Sequence, residues 1–235
     1  MYAQIAVLAG DADSSLVVIG AIAFLVLVVA ILRAFAGGER RDTPPAHDSA
    51  PLGSVGFSVP PHFVVFDLET TGLNSSRHEI IEIGAIRVNR DSDVHDTFQA
   101  LVKPTKRIRK NVTRINGISQ EMVDREGEPL DVALKAFVEF IGDLPLVSFN
   151  AEFDMAFLSK AAEKHDTVIR NKVTCALKMA RRAWPGRASY RLCDLARDGN
   201  LSDEDTHRAL GDCKRTIFVY AGAAAKLSLR KKKRV

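Results

Sequence analysis

Cysteine is scarce in this chain of 235 residues: Cys175, Cys193 and Cys213 are the whole set, odd in number and without a Cys-x-x-Cys pair. That arithmetic excludes a disulfide framework and gives no zinc site, so the three thiols read as small buried hydrophobes in a reducing compartment. Histidines with ligand spacing are also missing. His47, His62, His78, His95 and His165 are scattered and read as surface residues. There is no internal repeat. Strong net charge is absent outside the C-terminus. The formal net charge is +4, but Arg230, Lys231, Lys232, Lys233 and Arg234 supply five positive charges, so the rest of the chain stands at −1 and is not globally basic.

What the chain does have begins with an apolar run at residues 16–32, seventeen residues long. At 1.5 Å per residue such a run approximately spans a bilayer core, and residues 14–32 are expected to form a single transmembrane helix behind a short segment, 1–13. No Lys or Arg precedes the run, Asp11 and Asp13 lie before it, and Arg33, Arg40 and Arg41 follow it. By the positive-inside rule the N-terminus faces outward and the remainder faces the cytoplasm. The alternative is secretion after cleavage of a signal peptide near Ala34-Phe35-Ala36. An n-region without positive charge and an over-long apolar core argue against it. Residues 33–61 hold Gly37, Gly38, Pro44, Pro45, Pro51, Gly53, Gly56, Pro60 and Pro61 without sustained periodicity, the composition of a flexible linker.

Residues 62–227 suit one domain with a sizeable core. Residues 63–68 are an apolar, β-branched and aromatic run of the kind that makes a buried strand. Residues 79–88 and 94–102 read as a strand hairpin around a turn at 89–93, and residues 146–149 as another short strand. Helices are expected over 130–141, 153–162, 176–183, 191–197 and 208–227, with Asn150 as N-cap of the second. Their apolar stripes read as core. Residues 228–235 form a polybasic tail, suited to anionic lipid or to nucleic acid, or simply disordered.

Chemistry concentrates in four carboxylates and one histidine: Asp67 and Glu69 in FDLETTGL, Asp154 in NAEFD, and His207 with Asp212 in HRALGD. Strand positions i and i+2 share a face, so Asp67 and Glu69 point together while Leu68 enters a core. Asp154 falls in the first turn of a helix just beyond a strand end, where open α/β sheets place ligands. His207 and Asp212 would diverge by about 140° on one regular helix, so His207 is expected at the helix entrance and Asp212 one turn inside. Four acids at one point repel, at about 4 kcal/mol per pair for charges ~4 Å apart in an effective dielectric of about 20. Two divalent cations balance that charge, and hard oxygen ligands favour Mg²⁺ or Mn²⁺ over zinc. Metal-assisted phosphodiester hydrolysis is the expected chemistry, with an imidazole suited to take a proton from water at neutral pH.

These three segments resemble the three exonuclease motifs of the DnaQ-like, DEDDh-type 3′→5′ exonucleases, which include polymerase proofreading domains, RNase T and oligoribonuclease. Asp67, Glu69 and Thr70 match the first motif, Asn150, Phe153 and Asp154 the second, and His207 and Asp212 the third. The resemblance covers about residues 62–226. It implies an α/β, RNase H-like fold with a mixed five-stranded sheet flanked by helices, and two Mg²⁺ or Mn²⁺ ions held by Asp67, Glu69, Asp154 and Asp212. His207 would be the general base. Thr70, Thr71, Leu73, Ile115, Asn116, Asn150 and Phe153 would border the terminal nucleotide, although many proofreading relatives carry His where Asn116 stands.

The resemblance also implies hydrolysis from the 3′ end of single-stranded or 3′-ended nucleic acid, releasing nucleoside 5′-monophosphates. DNA is the favoured substrate. An RNA exonuclease like RNase T or oligoribonuclease is the alternative, and a non-catalytic, membrane-tethered nucleic-acid-binding adaptor is a third. Lys103, Lys106, Arg107, Arg109, Lys110 and Arg114 form a run without an acid just before Ile115 and Asn116, either a hold for the phosphate backbone or a solvated face. Together these readings place a single-pass protein at a bacterial cell membrane, with its exonuclease domain in the cytoplasm.

Overall fold

The structure is a computed structural model that describes residues 59–90, 92, 95–199, 201 and 207–232. The expected transmembrane helix at 14–32, and all but the last three residues of the expected linker, lie outside the described residues. Among the described residues no helix is long and apolar enough to cross a membrane.

Five strands form one mixed sheet in the order β3-β2-β1-β4-β5: β1 (His62–Thr70), β2 (Ile80–Asn89), β3 (Asp96–Leu101), β4 (Leu146–Ser148) and β5 (Val173–Cys175). The hairpin pairs β1, β2 and β3 antiparallel, whereas β4 and β5 join β1 in parallel. Seven helices are described: α1 (Lys110–Asn116), α2 (Gln120–Glu126), α3 (Leu130–Ile141), α4 (Ala151–Lys164), α5 (Ala176–Ala183), α6 (Leu192–Arg197) and α7 (Ala209–Lys232).

β1 is the central strand, covered on both faces, which is why its sequence is apolar without alternation. Val64, Phe66 and Leu68 face one layer, packing with Leu134, Phe137 and Ile141 of α3 and with Phe157 and Leu158 of α4. The Phe66 and Phe137 rings lie 5.8 Å apart. Phe63 and Val65 face α7, where the Phe63 ring meets Tyr220 edge-on at 5.4 Å and the Cys213 thiol rests on the carbonyls of Val65 and Gly84. The sheet is therefore sandwiched at the strand that carries Asp67 and Glu69.

The structure departs from the sequence expectations at several points. β5, α1 and α2 have no counterpart among them. Both helices are short, and Val112 and Val123 are buried in a small cluster that joins nearby Ile108 and Ile118 to distant Ile81. α7 runs five residues past the expected end at 227, through the first lysines of the basic tail. No glycine or proline follows Gly222 to stop it, and Ala, Leu and Lys are strong helix formers. His78, His95 and His165 are half-buried rather than on the surface, as are Cys175 and Cys193 rather than buried.

A carboxylate cluster at the end of the central strand

Antiparallel register with β2 sets Asp67 opposite Gly84 and Glu69 opposite Glu82, all on the face covered by α7. A bulge follows between Glu69 and Thr70, and the chain leaves the sheet. Gly84 is required here. A Cβ on it would lie 2.6 Å from Cβ of Ala209 and 2.8 Å from that residue's carbonyl carbon, so only glycine lets the start of α7 come down onto β2. That approach delivers Asp212 to the strand end. Asp67, Glu69 and Asp212 offer carboxylate oxygens that all lie within 4.8 Å of one another.

Asp154 stands beside this trio and is 3% exposed. β4 stops at Ser148, so the Leu68 N–H, turned toward that side of β1, is free to donate to the Asp154 carboxylate, and the Ser148 hydroxyl donates to it as well. His207 sits two residues ahead of α7 in the left-handed region, at φ 62°, exposed at the rim. Its backbone N–H donates to the Asp212 carboxylate, so the histidine and the aspartate are fastened together without sharing a helix.

The electrostatics follow from packing. Burial raises Asp67 well above the ordinary carboxyl range, and the charges of Asp154, Asp212 and Glu69 push it further. Burial and Asp212 raise Glu69 to about 8, against the pull of a hydrogen bond from Asn116. Asp154 is raised to about 7, mainly by burial. Asp212 is raised by burial but restrained by Arg215, whose guanidinium lies 3.2 Å from its carboxylate. Acids this reluctant to ionise together want a cation. The donor set fits one: hard carboxylate oxygens, partly desolvated, with more negative charge than the adjoining arginine neutralises. The cluster is consistent with two divalent metal ions.

The expected nucleotide-bordering residues divide. Leu73 and Ile115 are large apolar side chains left 86% and 60% exposed. Thr70 and Thr71 are taken up in the turn, the first donating to the Gly72 carbonyl and the second accepting from the Glu79 N–H. Phe153 packs against the core beside Phe157. Asn150 occupies the N-cap position of α4, but its side chain makes no cap hydrogen bond; its carbonyl accepts from Phe153 and Asp154 instead. Asn116 is buried, with its side-chain oxygen accepting from the Ile118 N–H and its side chain bonded to Glu69. Gly117, in the left-handed region, ends α1 right after it.

Sequence reasoning missed Glu82. This carboxylate is fully buried beneath the cluster, where it accepts from Gln99, from Arg208 at 2.6 and 3.2 Å, and from the Ala209 N–H at 3.0 Å. It thereby pins the first residues of α7. An acid inside the otherwise apolar stretch of β2 was the available signal.

A mixed five-stranded sheet with this acidic cluster over one end of its central strand defines an RNase H-like nuclease fold. The family follows from the sequence: the chain belongs to the exonuclease family RNase_T, whose profile matches residues 64–220. It is 32% identical over 160 residues to the DNA polymerase III subunit epsilon of Aquifex aeolicus, covering 67% of this chain and 78% of that protein. It is 36% identical over 158 residues to the PolC-type DNA polymerase III of Clostridium perfringens, covering 67% of this chain but only 11% of that much longer relative. Among solved structures, E. coli exonuclease I in complex with a dT13 oligonucleotide aligns with a TM-score of 0.62 at 19% identity, covering 74% of this chain and 43% of the other, a likeness of fold.

Proposed function

We propose that the protein is a metal-dependent 3′→5′ exonuclease that removes nucleoside 5′-monophosphates from the 3′ end of nucleic acid, DNA in preference to RNA. The observation that carries this reading is the convergence of Asp67, Glu69 and Asp212 within 4.8 Å, with Asp154 buried alongside. Asp67, Glu69, Asp154 and Asp212 are the residues that would hold two divalent cations, which when bound supply Lewis acidity at the scissile phosphate and an acidified water. His207, exposed at the rim and tied to Asp212, accepts the proton of the attacking water on its imidazole.

Other side chains set up these groups. Asn116 orients Glu69, and Ser148 with the Leu68 N–H orients Asp154. Leu73 and Ile115 offer exposed apolar surfaces on which a terminal base can stack. Preference for DNA is supported by relatives that are DNA polymerase III proteins and by a structural neighbour bound to a DNA oligonucleotide.

The test is digestion of matched DNA and RNA oligonucleotides, with free and with blocked 3′ ends, in Mg²⁺ or Mn²⁺. Loss of hydrolysis with EDTA, with Asp67→Ala and with a blocked 3′ end is expected. Hydrolysis indifferent to EDTA or to Asp67→Ala would refute the site, and faster digestion of RNA would reverse the substrate preference.

The same reading includes a tether. Residues 14–32 anchor the protein in a bacterial membrane, with the exonuclease domain, residues 62–227, on the cytoplasmic side. What supports this is the apolar run at 16–32 with its arginines on the C-terminal flank. Residues 228–235 add positive charge suited to anionic lipid or to the substrate. Sedimentation with membranes and resistance of the domain to external protease in intact cells are expected; recovery from the culture medium would point to secretion.

A further inference from the structure

A concavity of about 580 Å³ is lined by Thr71, Arg77, His78, Lys106, Arg107 and Arg109 among others, with no acid in its wall. We propose that this concavity is a phosphate-binding subsite that grips the backbone of the nucleic-acid strand beyond the nucleotide being removed. The proposal rests on the nuclease reading for its substrate, but on different residues.

Two separate segments build it. Arg77 and His78 come from the turn between β1 and β2, and Lys106, Arg107 and Arg109 from the loop between β3 and α1. The loop is not a loose charged strand. The Glu79 carboxylate accepts from the Thr105 hydroxyl at 2.7 Å and from the Thr105 and Lys106 N–H groups at 3.3 and 3.1 Å. Ile108 is buried, and its N–H donates to the Gln120 side chain at 2.8 Å. Glu79 in turn is bound through both backbone groups to Thr71, so turn and loop are fixed to each other.

Arg77, Arg107 and Arg109 form no ion pair among the described residues. Guanidinium groups gathered on a rigid wall repel one another, and an anion relieves that cost. Their planar forks match phosphate oxygens.

Position relates the concavity to the cluster. α1 joins them, with Arg109 at its N-cap and Asn116, bonded to Glu69, at its other end. Seven residues of helix rise on the order of 10 Å. A phosphate held by the arginines is thus well away from the scissile bond, and its grip adds affinity for a long strand without touching the reacting atoms. The sequence put three of these cations in one run, but Arg77 and His78 join them only through the fold.

The experiment uses the full-length protein and the variant Arg77→Ala/Arg107→Ala. Binding of a fluorescent single-stranded DNA oligonucleotide is followed by anisotropy in Ca²⁺ over a range of KCl concentrations. Hydrolysis of the p-nitrophenyl ester of thymidine 5′-monophosphate, which has no backbone beyond the scissile phosphate, is measured separately in Mn²⁺. The variant is expected to bind the oligonucleotide about tenfold more weakly at low salt, with a salt slope shallower by roughly 0.7 per lost phosphate contact. Ester turnover is expected to stay at the wild-type level. An unchanged Kd and slope would overturn the proposal, as would an ester rate that falls in step with binding. A wild-type protein that binds through these arginines but hydrolyses no ester would keep the subsite and overturn the nuclease reading instead.

Discussion

Without divalent metal, the protein should lose stability as pH rises from 5 to 7. Glu69 is raised to about 8 and Asp154 to about 7 by burial and neighbouring charge, against ordinary values near 4 in the unfolded chain. The folded state therefore keeps protons that the unfolded state has released. A carboxyl raised in this way contributes stability that is complete below its unfolded value and is lost as pH climbs through its folded value. Each retained proton corresponds to about 1.4 kcal/mol per pH unit, so the two carboxyls together lower stability by about 5 kcal/mol between pH 5 and 7. For a domain of this size, each kcal/mol moves Tm by roughly 2–4 °C, so Tm in EDTA should be about 10–20 °C lower at pH 7 than at pH 5. Mn²⁺ binds the ionised carboxylates, so it should raise Tm most at pH 7 and flatten the dependence. Differential scanning calorimetry at both pH values, with the double variant Glu69→Gln/Asp154→Asn as the background, reads the effect directly. A wild-type slope in EDTA equal to that of the double variant, or opposite in sign, would show that these carboxyls do not carry the strain assigned to them.

Three substitutions probe the supports of the site. His207→Asn keeps a residue that tolerates the left-handed backbone while removing the basic imidazole, so kcat should fall by about 10²–10⁴ with Tm nearly unchanged; a loss of less than tenfold would remove the general-base role. Glu82→Gln takes the counter-charge from Arg208, whose side chain is 32% exposed, so partial solvation limits the stability loss to about 2 kcal/mol; urea denaturation measures it, and a neutral outcome would mean that the pair does not hold the start of α7. Gly84→Ala drives a methyl group into the backbone of Ala209, so a stability loss of about 1–3 kcal/mol and a fall in kcat greater than any change in KM are expected, checked by steady-state kinetics and thermal melts.

Periodicity and strand composition made part of this fold legible before any coordinates. The apolar residues of 130–141 and 176–183 recur at helical spacing, and both helices occupy those spans. β1 was readable because a strand buried on both faces has no alternation to disguise it. The short elements were not, since a helix of seven residues is too short to show an apolar stripe, and three-residue β5 is defined by pairing rather than propensity. At the site, residue type and spacing single out Asp67, Glu69, Asp154, His207 and Asp212, and the fold brings the carboxylates of Asp67, Glu69 and Asp212 within 4.8 Å of one another. Asn116 and Glu82 carry roles that only the fold reveals. Asn116, expected to border the nucleotide, is also buried and bonded to Glu69; Glu82 went unnoticed because nothing in sequence links position 82 to Arg208 across 126 residues.

Asn116 and Glu82 belong to a set of supports that hold the cluster in place. A folded chain with four carboxylates at one strand end would relax by turning some outward unless each were held from behind. Each is anchored on the scaffold: Glu69 by Asn116, Asp154 by Ser148 and the Leu68 N–H, Asp212 by Arg215 and the His207 N–H. Asp67 is locked by the strand itself. Glu82 adds another negative charge beneath them, offset by Arg208, and in return fixes the chain between His207 and Asp212. The repulsion is therefore maintained by the fold and cannot dissipate by rotamer changes, so it is relieved by the protons the carboxyls retain or, once those leave, by a bound cation.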